Sequence, residues 1–154
     1  MLKFSLCGLA TAALITFASA AFAGECPADR VKANAITAGE TKPVGVTDTV
    51  LASIDLGTQS INAPGRYFRM RELVIQPGGI VPWHSHDDRP AIIFIVSGEI
   101  LEFNSNCEVP IVHVAGDVAP EMIGTQHWWK NNTNKPVTLI SADILHDEGD
   151  AHTM

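Results

Sequence analysis

An all-β barrel or sandwich is the fold class this chain predicts, and three observations predict it. Short apolar or alternating runs recur along most of the 154 residues, Gly, Asn and Pro turns separate them, and no long segment beyond residue 23 carries a helical period. A chain of this length supports one sizeable core rather than two, so a single barrel is expected.

The first 23 residues stand apart. A lone Lys3 precedes an apolar, alanine-rich run that closes on Ala21-Phe22-Ala23 before Gly24. That is the layout of a secretory signal peptide with an A-x-A cleavage site, which makes the expected location periplasmic or secreted. The run is short for a membrane span, so no membrane association is expected after cleavage. Loss of Lys3 leaves nine Lys and Arg against seventeen Asp and Glu, a formal charge of −8. Nucleic acid and anionic membranes are poor partners for such a surface. Export also places Cys26 and Cys107 in an oxidising compartment as an even pair, and a disulfide between them is expected.

Residues 24–45 are polar and rich in small residues, with Pro27, Gly39 and Pro43 interrupting any period, and are read as an extended N-terminal arm. The barrel domain is expected over residues 46–146, and an acidic, fraying tail over 147–154. Residues 46–56 mix Val and Thr with other apolar residues, and periodicity leaves a strand and a short helical turn open. Residues 61–65 form a turn. Residues 67–76 alternate as a strand, which Pro77-Gly78-Gly79 is expected to end before a new strand at 80–86. Asp87-Asp88-Arg89-Pro90 is a loop. The apolar run 91–96 reads as a strand buried on both faces. Further strands are expected at 99–103, 111–114, 126–130 and 137–145, with Gly and Asn turns between them.

Within this frame, His84 and His86 lie two residues apart on one strand and therefore share a face. Two imidazoles on one face make half a metal site. A third histidine, His127, follows Gly116 and Gly124 and precedes Asn131. Together the two segments resemble the paired motifs of the cupin superfamily. The first motif, G-x5-H-x-H-x3,4-E-x6-G, falls on Gly78, His84, His86 and Gly98, with Ala91 in the glutamate slot. The second, G-x5-P-x-G-x2-H-x3-N, falls on Gly116, Gly124, His127 and Asn131, with Met122 in the proline slot.

The resemblance implies a single cupin-type β-barrel (a double-stranded β-helix or jelly roll) holding a divalent metal through His84, His86 and His127. Neutral imidazole serves Fe, Mn, Ni, Cu and Zn alike, so ligand type does not select the ion. Lacking the glutamate, the site is similar to those of thiol and diketone-cleaving dioxygenases, although Tyr67 is the only tyrosine available for the partner seen in animal thiol dioxygenases. The functional expectation is a non-haem, metal-dependent dioxygenase acting on a small molecule. A non-catalytic small-ligand or sugar-binding module is the alternative. Trp129 shares the face of His127 and is a candidate wall of the substrate pocket, with Arg89 a candidate anchor for a substrate carboxylate. Asp87 or Asp88 is a candidate substitute for the missing glutamate. Cupins commonly pair, so the resemblance also implies a homodimer, helped by any exposed part of the run 91–96.

Overall fold

A computed structural model describes residues 24–146; the expected signal segment and the acidic tail lie outside the described residues. Eight strands account for most of them: β1 Val44–Asp55, β2 Tyr67–Ser85, β3 Ala91–Ser97, β4 Glu99–Asn104, β5 Ile111–Val114, β6 Val118–Glu121, β7 Gln126–Lys130 and β8 Val137–Leu145. They form one curled sheet in the order β5-β4-β7-β2-β8-β3-β6, with β1 also paired to β2. The all-β barrel expectation holds. Residues 46–56, which periodicity left open, belong to a strand that begins at Val44 and ends in a single 3-10 turn, Leu56–Thr58.

The main departure lies at Pro77-Gly78-Gly79, which does not end a strand. β2 runs unbroken through 19 residues and changes partner there. Its first half pairs with β8 from Tyr67↔Leu145 to Ile75↔Val137, and its second half with β7 from Ile80↔Lys130 to Ser85↔Gln126. Gly78 takes a φ of +75°, which a side chain would resist, and a Cβ on Gly79 would fall 2.6 Å from Ile75 Cγ2. The glycines therefore make a bulge that bends the strand without stopping it. Asn131 holds the bend from the facing strand. The Gly78 N–H donates to its carbonyl at 2.9 Å, and its own N–H donates to Gly79 O at 3.0 Å.

A second departure concerns β3. Ile93 and Ile95 are buried, but Ile92, Phe94 and Val96 are 56%, 43% and 47% exposed. A strand of one curled sheet has its second face on the outside, so the continuous apolar run does not mean burial on both faces. The inward residues Leu73, Ile75, Val81, Ile93, Ile95, Ile100, Trp129, Val137 and Leu139 make the core. Each contributes about 1.5–3 kcal/mol in apolar burial.

The arm closes over the β4–β5 end of the sheet. Cys26 and Cys107 are disulfide-bonded with Cα atoms 5.8 Å apart, Val31 bridges to Cys107, and the Gly24 N–H donates to Val112 O at 2.8 Å. Further along, the arm crosses Trp128, which stacks on Phe103 at 4.0 Å between ring centres. A Cβ at Gly39 would lie 2.2 Å from the indole, so only glycine lets the arm pass. Since the disulfide spans 81 residues of chain, its loss is expected to cost up to about 4 kcal/mol in the chain-entropy picture. Protein lacking residues 1–23 is expected to show no titratable thiol when unfolded without reductant and a lowered Tm when Cys26 and Cys107 are both changed to serine; two free thiols per chain would contradict the bond.

Candidate metal centre

The bend in β2 carries His84 and His86 to the inner wall, where the register sets His84 opposite His127 on β7. The three Nε2 atoms meet at 3.1 Å (His84 to His86), 3.0 Å (His86 to His127) and 3.1 Å (His127 to His84). The other nitrogen of each ring is committed. His84 Nδ1 lies 2.8 Å from Pro82 O, His86 Nδ1 2.7 Å from Arg89 O, and His127 Nδ1 2.8 Å from Glu102 Oε1. Each of these acceptors demands a proton on Nδ1, which leaves the three Nε2 atoms as lone pairs facing one another. Three convergent lone pairs repel unless a cation or a proton lies among them. The spacing is that of one face of an octahedron with bonds of about 2.1 Å, and tighter than the roughly 3.4 Å edge of a tetrahedral site. The residues fit a divalent ion.

Behind His127 lies a buried chain of charge that sequence reading missed. Glu102 accepts from His127 through Oε1 and from His113 Nε2 at 2.8 Å through Oε2, while Asn104 Nδ2 donates to Oε1 at 2.7 Å. Burial works against ionising Glu102, but the hydrogen bonds from His113 and His127 outweigh it and hold the carboxyl well below the usual range. Glu121 approaches from β6, with Oε2 3.6 Å from His127 Nδ1. Its burial, together with the charge of Glu102 and against the attraction of His127, pushes it up to about 7. Alternation along β4 was the available signal, because an inward Ile100 puts Glu102 on the same face.

The three histidines are not equivalent. Burial first, and the neighbouring His127 second, keep His84 well below the ordinary histidine value and bring His86 to about 4. At His127 burial also opposes the charge, yet Glu121 and Glu102 together raise it.

A cavity of about 30 Å³ adjoins the triad, lined by Leu73, Val81, Ile93, Leu139, Trp129, Arg71 and Ser141 beside the histidines. That is room for about two waters. Trp129 is among its lining residues, with Nε1 3.4 Å from His127 Nε2. Arg71 is the arginine among the lining residues. Arg89 gives its carbonyl to His86, and its guanidinium Nε lies 4.0 Å from Asp143 Oδ2. The loop aspartates do not join the triad: Asp87 Oδ1 accepts from the Gly124 N–H at 2.8 Å, and Asp88 Oδ1 pairs with Arg66 at 2.7 Å. Asn131 is fully buried, its amide donating to Ile75 O and Lys135 O, so its role is structural.

The family comparison agrees with this geometry, for residues 71–143 match the cupin domain model. Those residues make a cupin domain. Solved cupin structures align with it at low identity. A predicted oxalate decarboxylase from Thermotoga maritima shares 17% identity at a TM-score of 0.52, covering 79% of this chain and 98% of that one. The Cupin_2 domain of an XRE family transcriptional regulator from Enterobacter cloacae shares 13% at 0.51, covering 65% and 96%. An oxalate oxidase in complex with glycolate shares 22% at 0.51, covering 71% of this chain and 59% of that one. These likenesses establish the fold. No curated protein matches the sequence.

Two outcomes follow from this cupin's triad. With Nδ1 already protonated, the extra proton that His127 accepts goes to Nε2 and competes with the ion there. Metal affinity is therefore expected to fall about tenfold per pH unit once the pH drops below the raised His127 value, with His84 and His86 joining only at much lower pH. Competition titrations between pH 8 and 5 check the slope, and release of about three protons per ion would contradict it. Glu102→Gln is expected to weaken metal binding about 10- to 100-fold, read by the same titration.

Proposed function

We propose that this protein is an exported, metal-dependent oxidoreductase, a non-haem dioxygenase acting on a small molecule, with one divalent ion held by His84, His86 and His127. The observation that carries the reading is the convergence of three Nε2 lone pairs whose rings are fixed by Pro82 O, Arg89 O and Glu102. Bound there, a redox-active ion supplies Lewis acidity and a route to dioxygen. The chain supplies the rest. Three neutral ligands leave the ion its full positive charge, and Ala91 in the glutamate slot leaves a position for substrate. Leu73, Val81, Ile93 and Leu139 give the cavity an apolar lining, Trp129 forms one wall, and Arg71 and Ser141 give it a polar edge. The Cys26–Cys107 bond and the layout of residues 1–23 support export.

Oxygen uptake by protein loaded with Fe(II) or Mn(II), tested against small thiols, diketones and phenolic acids, is the direct measurement. His86→Ala is expected to abolish uptake and to weaken metal binding by more than the roughly 100-fold that losing an outer partner costs. Wild-type stoichiometry and affinity in that variant would overturn the assignment.

The proposal includes a homodimer formed through the outer face of the sheet. Phe94 and Val118 are register neighbours on β3 and β6, and with Ile92 and Val96 they expose a contiguous apolar strip. Light scattering at micromolar concentration is expected to give twice the chain mass, and Phe94→Glu to halve it. A monomeric mass for the unaltered protein would contradict this assembly.

A further inference from the structure

On the Nδ1 side of His127 is a second and larger cavity, about 250 Å³, lying between β4 and β5 at one edge of the curled sheet, β6 at the other, and the N-terminal arm. The arm contributes Gly24, Cys26 and Val31 to its lining, and two carboxylates, Glu102 and Glu121, line it from the barrel. Both glutamates are 2% exposed. Their situations differ. Both oxygens of Glu102 accept hydrogen bonds, from His127 and Asn104 on one side and His113 on the other. Glu121 has Oε2 at 3.6 Å from His127 Nδ1, a proton that Glu102 already takes, and its buried Oε1 has no hydrogen-bond partner among the described residues.

One oxygen of each glutamate and a nitrogen of His127 lie within 4.8 Å of one another. Two buried carboxylates this close repel unless something positive joins them. No lysine or arginine lines the cavity. Oxygen ligands with water at hand suit hard divalent cations, which keep part of their hydration shell. The neighbouring triad offers the opposite chemistry, three nitrogens in an apolar setting.

We propose that this cavity is a second cation site, in which Glu121 and Glu102 bind a hard divalent ion of the Mn²⁺ or Mg²⁺ class and cavity water completes its coordination. His127 Nδ1–H keeps its bond to Glu102, so one glutamate stands between the two sites. A cation on Glu102 draws charge from the carboxylate that supports His127, and the second ion therefore weakens the first. The site does not depend on the triad holding metal.

Manganese is the probe. Chelator-stripped protein is dialysed against Mn²⁺ at pH 7.5, and bound metal is counted and examined by pulsed electron paramagnetic resonance for coupling to imidazole nitrogen. The wild type is expected to bind two Mn²⁺, only one of which shows direct nitrogen coupling. Glu121→Gln should keep the nitrogen-coupled ion and lose the other, and the His84→Ala, His86→Ala double variant should do the reverse. A single Mn²⁺ in the wild type, nitrogen-coupled and indifferent to Glu121→Gln, overturns the second site and leaves the triad intact. A single Mn²⁺ lost with Glu121→Gln and retained by the double variant upholds the second site and sinks the triad reading instead. Should Glu121→Gln fail to fold, the wild-type spectrum still decides, since nitrogen coupling on every bound ion overturns the proposal.

Discussion

The bend at Gly78 and Gly79 is the constraint on which the rest of the molecule depends. The ladder with β8 ends where Ile75 faces Val137, the first residue of β8, and the bend that follows sets the rest of β2 against β7, where His84 comes opposite His127. By changing partner there, a single strand delivers its lower half to the arginine-rich floor of the barrel and its upper half to the histidines. Asn131 locks the change from the other side, through its backbone on Gly78 and Gly79 and its amide on Ile75 and Lys135. The first and last residues of the two matched motifs are thus partners in one structural joint, and neither touches the triad. Spacing in the motif is a consequence of that joint.

Ring orientation is the next layer, and it breaks the symmetry of the triad. His84 and His86 lean on neutral carbonyls, which fix the tautomer but add no charge. His127 leans on a carboxylate, which fixes the tautomer and also favours a positive ring. Burial presses all three toward neutrality, and only His127 has the means to resist. An empty triad therefore takes its single proton at a defined place, and an ion arriving there displaces that proton rather than three.

Much of this was legible in the sequence, and the gaps have physical causes. The face shared by His84 and His86, and the position of Trp129 beside His127, follow from the period of two along a strand. That period cannot say what a neighbouring strand contributes. Glu102 and Glu121 lie 25 and 6 residues from His127 in sequence, and only the pairing of β4 with β7 and the closure of β6 bring them close. Pro77-Gly78-Gly79 read as a stop because proline and glycine interrupt local pairing; that the ladder resumes with a different partner is a tertiary fact. The run 91–96 misled for the converse reason. Its outer residues are apolar without being covered by the chain's own fold. Asp87 and Asp88, plausible by proximity, are held outward by a backbone N–H and by Arg66.

The alanine in the glutamate slot finds its reason in the register. Ala91 pairs with Asp143 on β8 and with Glu121 on β6. A glutamate there would place a third buried carboxylate between two others, a direct like-charge opposition across both ladders. Asp143 is already spoken for, bidentate to Arg69 at 3.1 and 2.7 Å and 3.3 Å from Arg71, and removing a partner from such a buried pair is costly. Glu121 stands instead at the Nδ1 side of His127, where its charge raises the basicity of the ring. In the slot that most closely abuts these acids, a methyl group is what the local electrostatics permit. The acidic residues of this cupin act on the histidines from behind, and the face on which the three lone pairs meet is left to nitrogen alone.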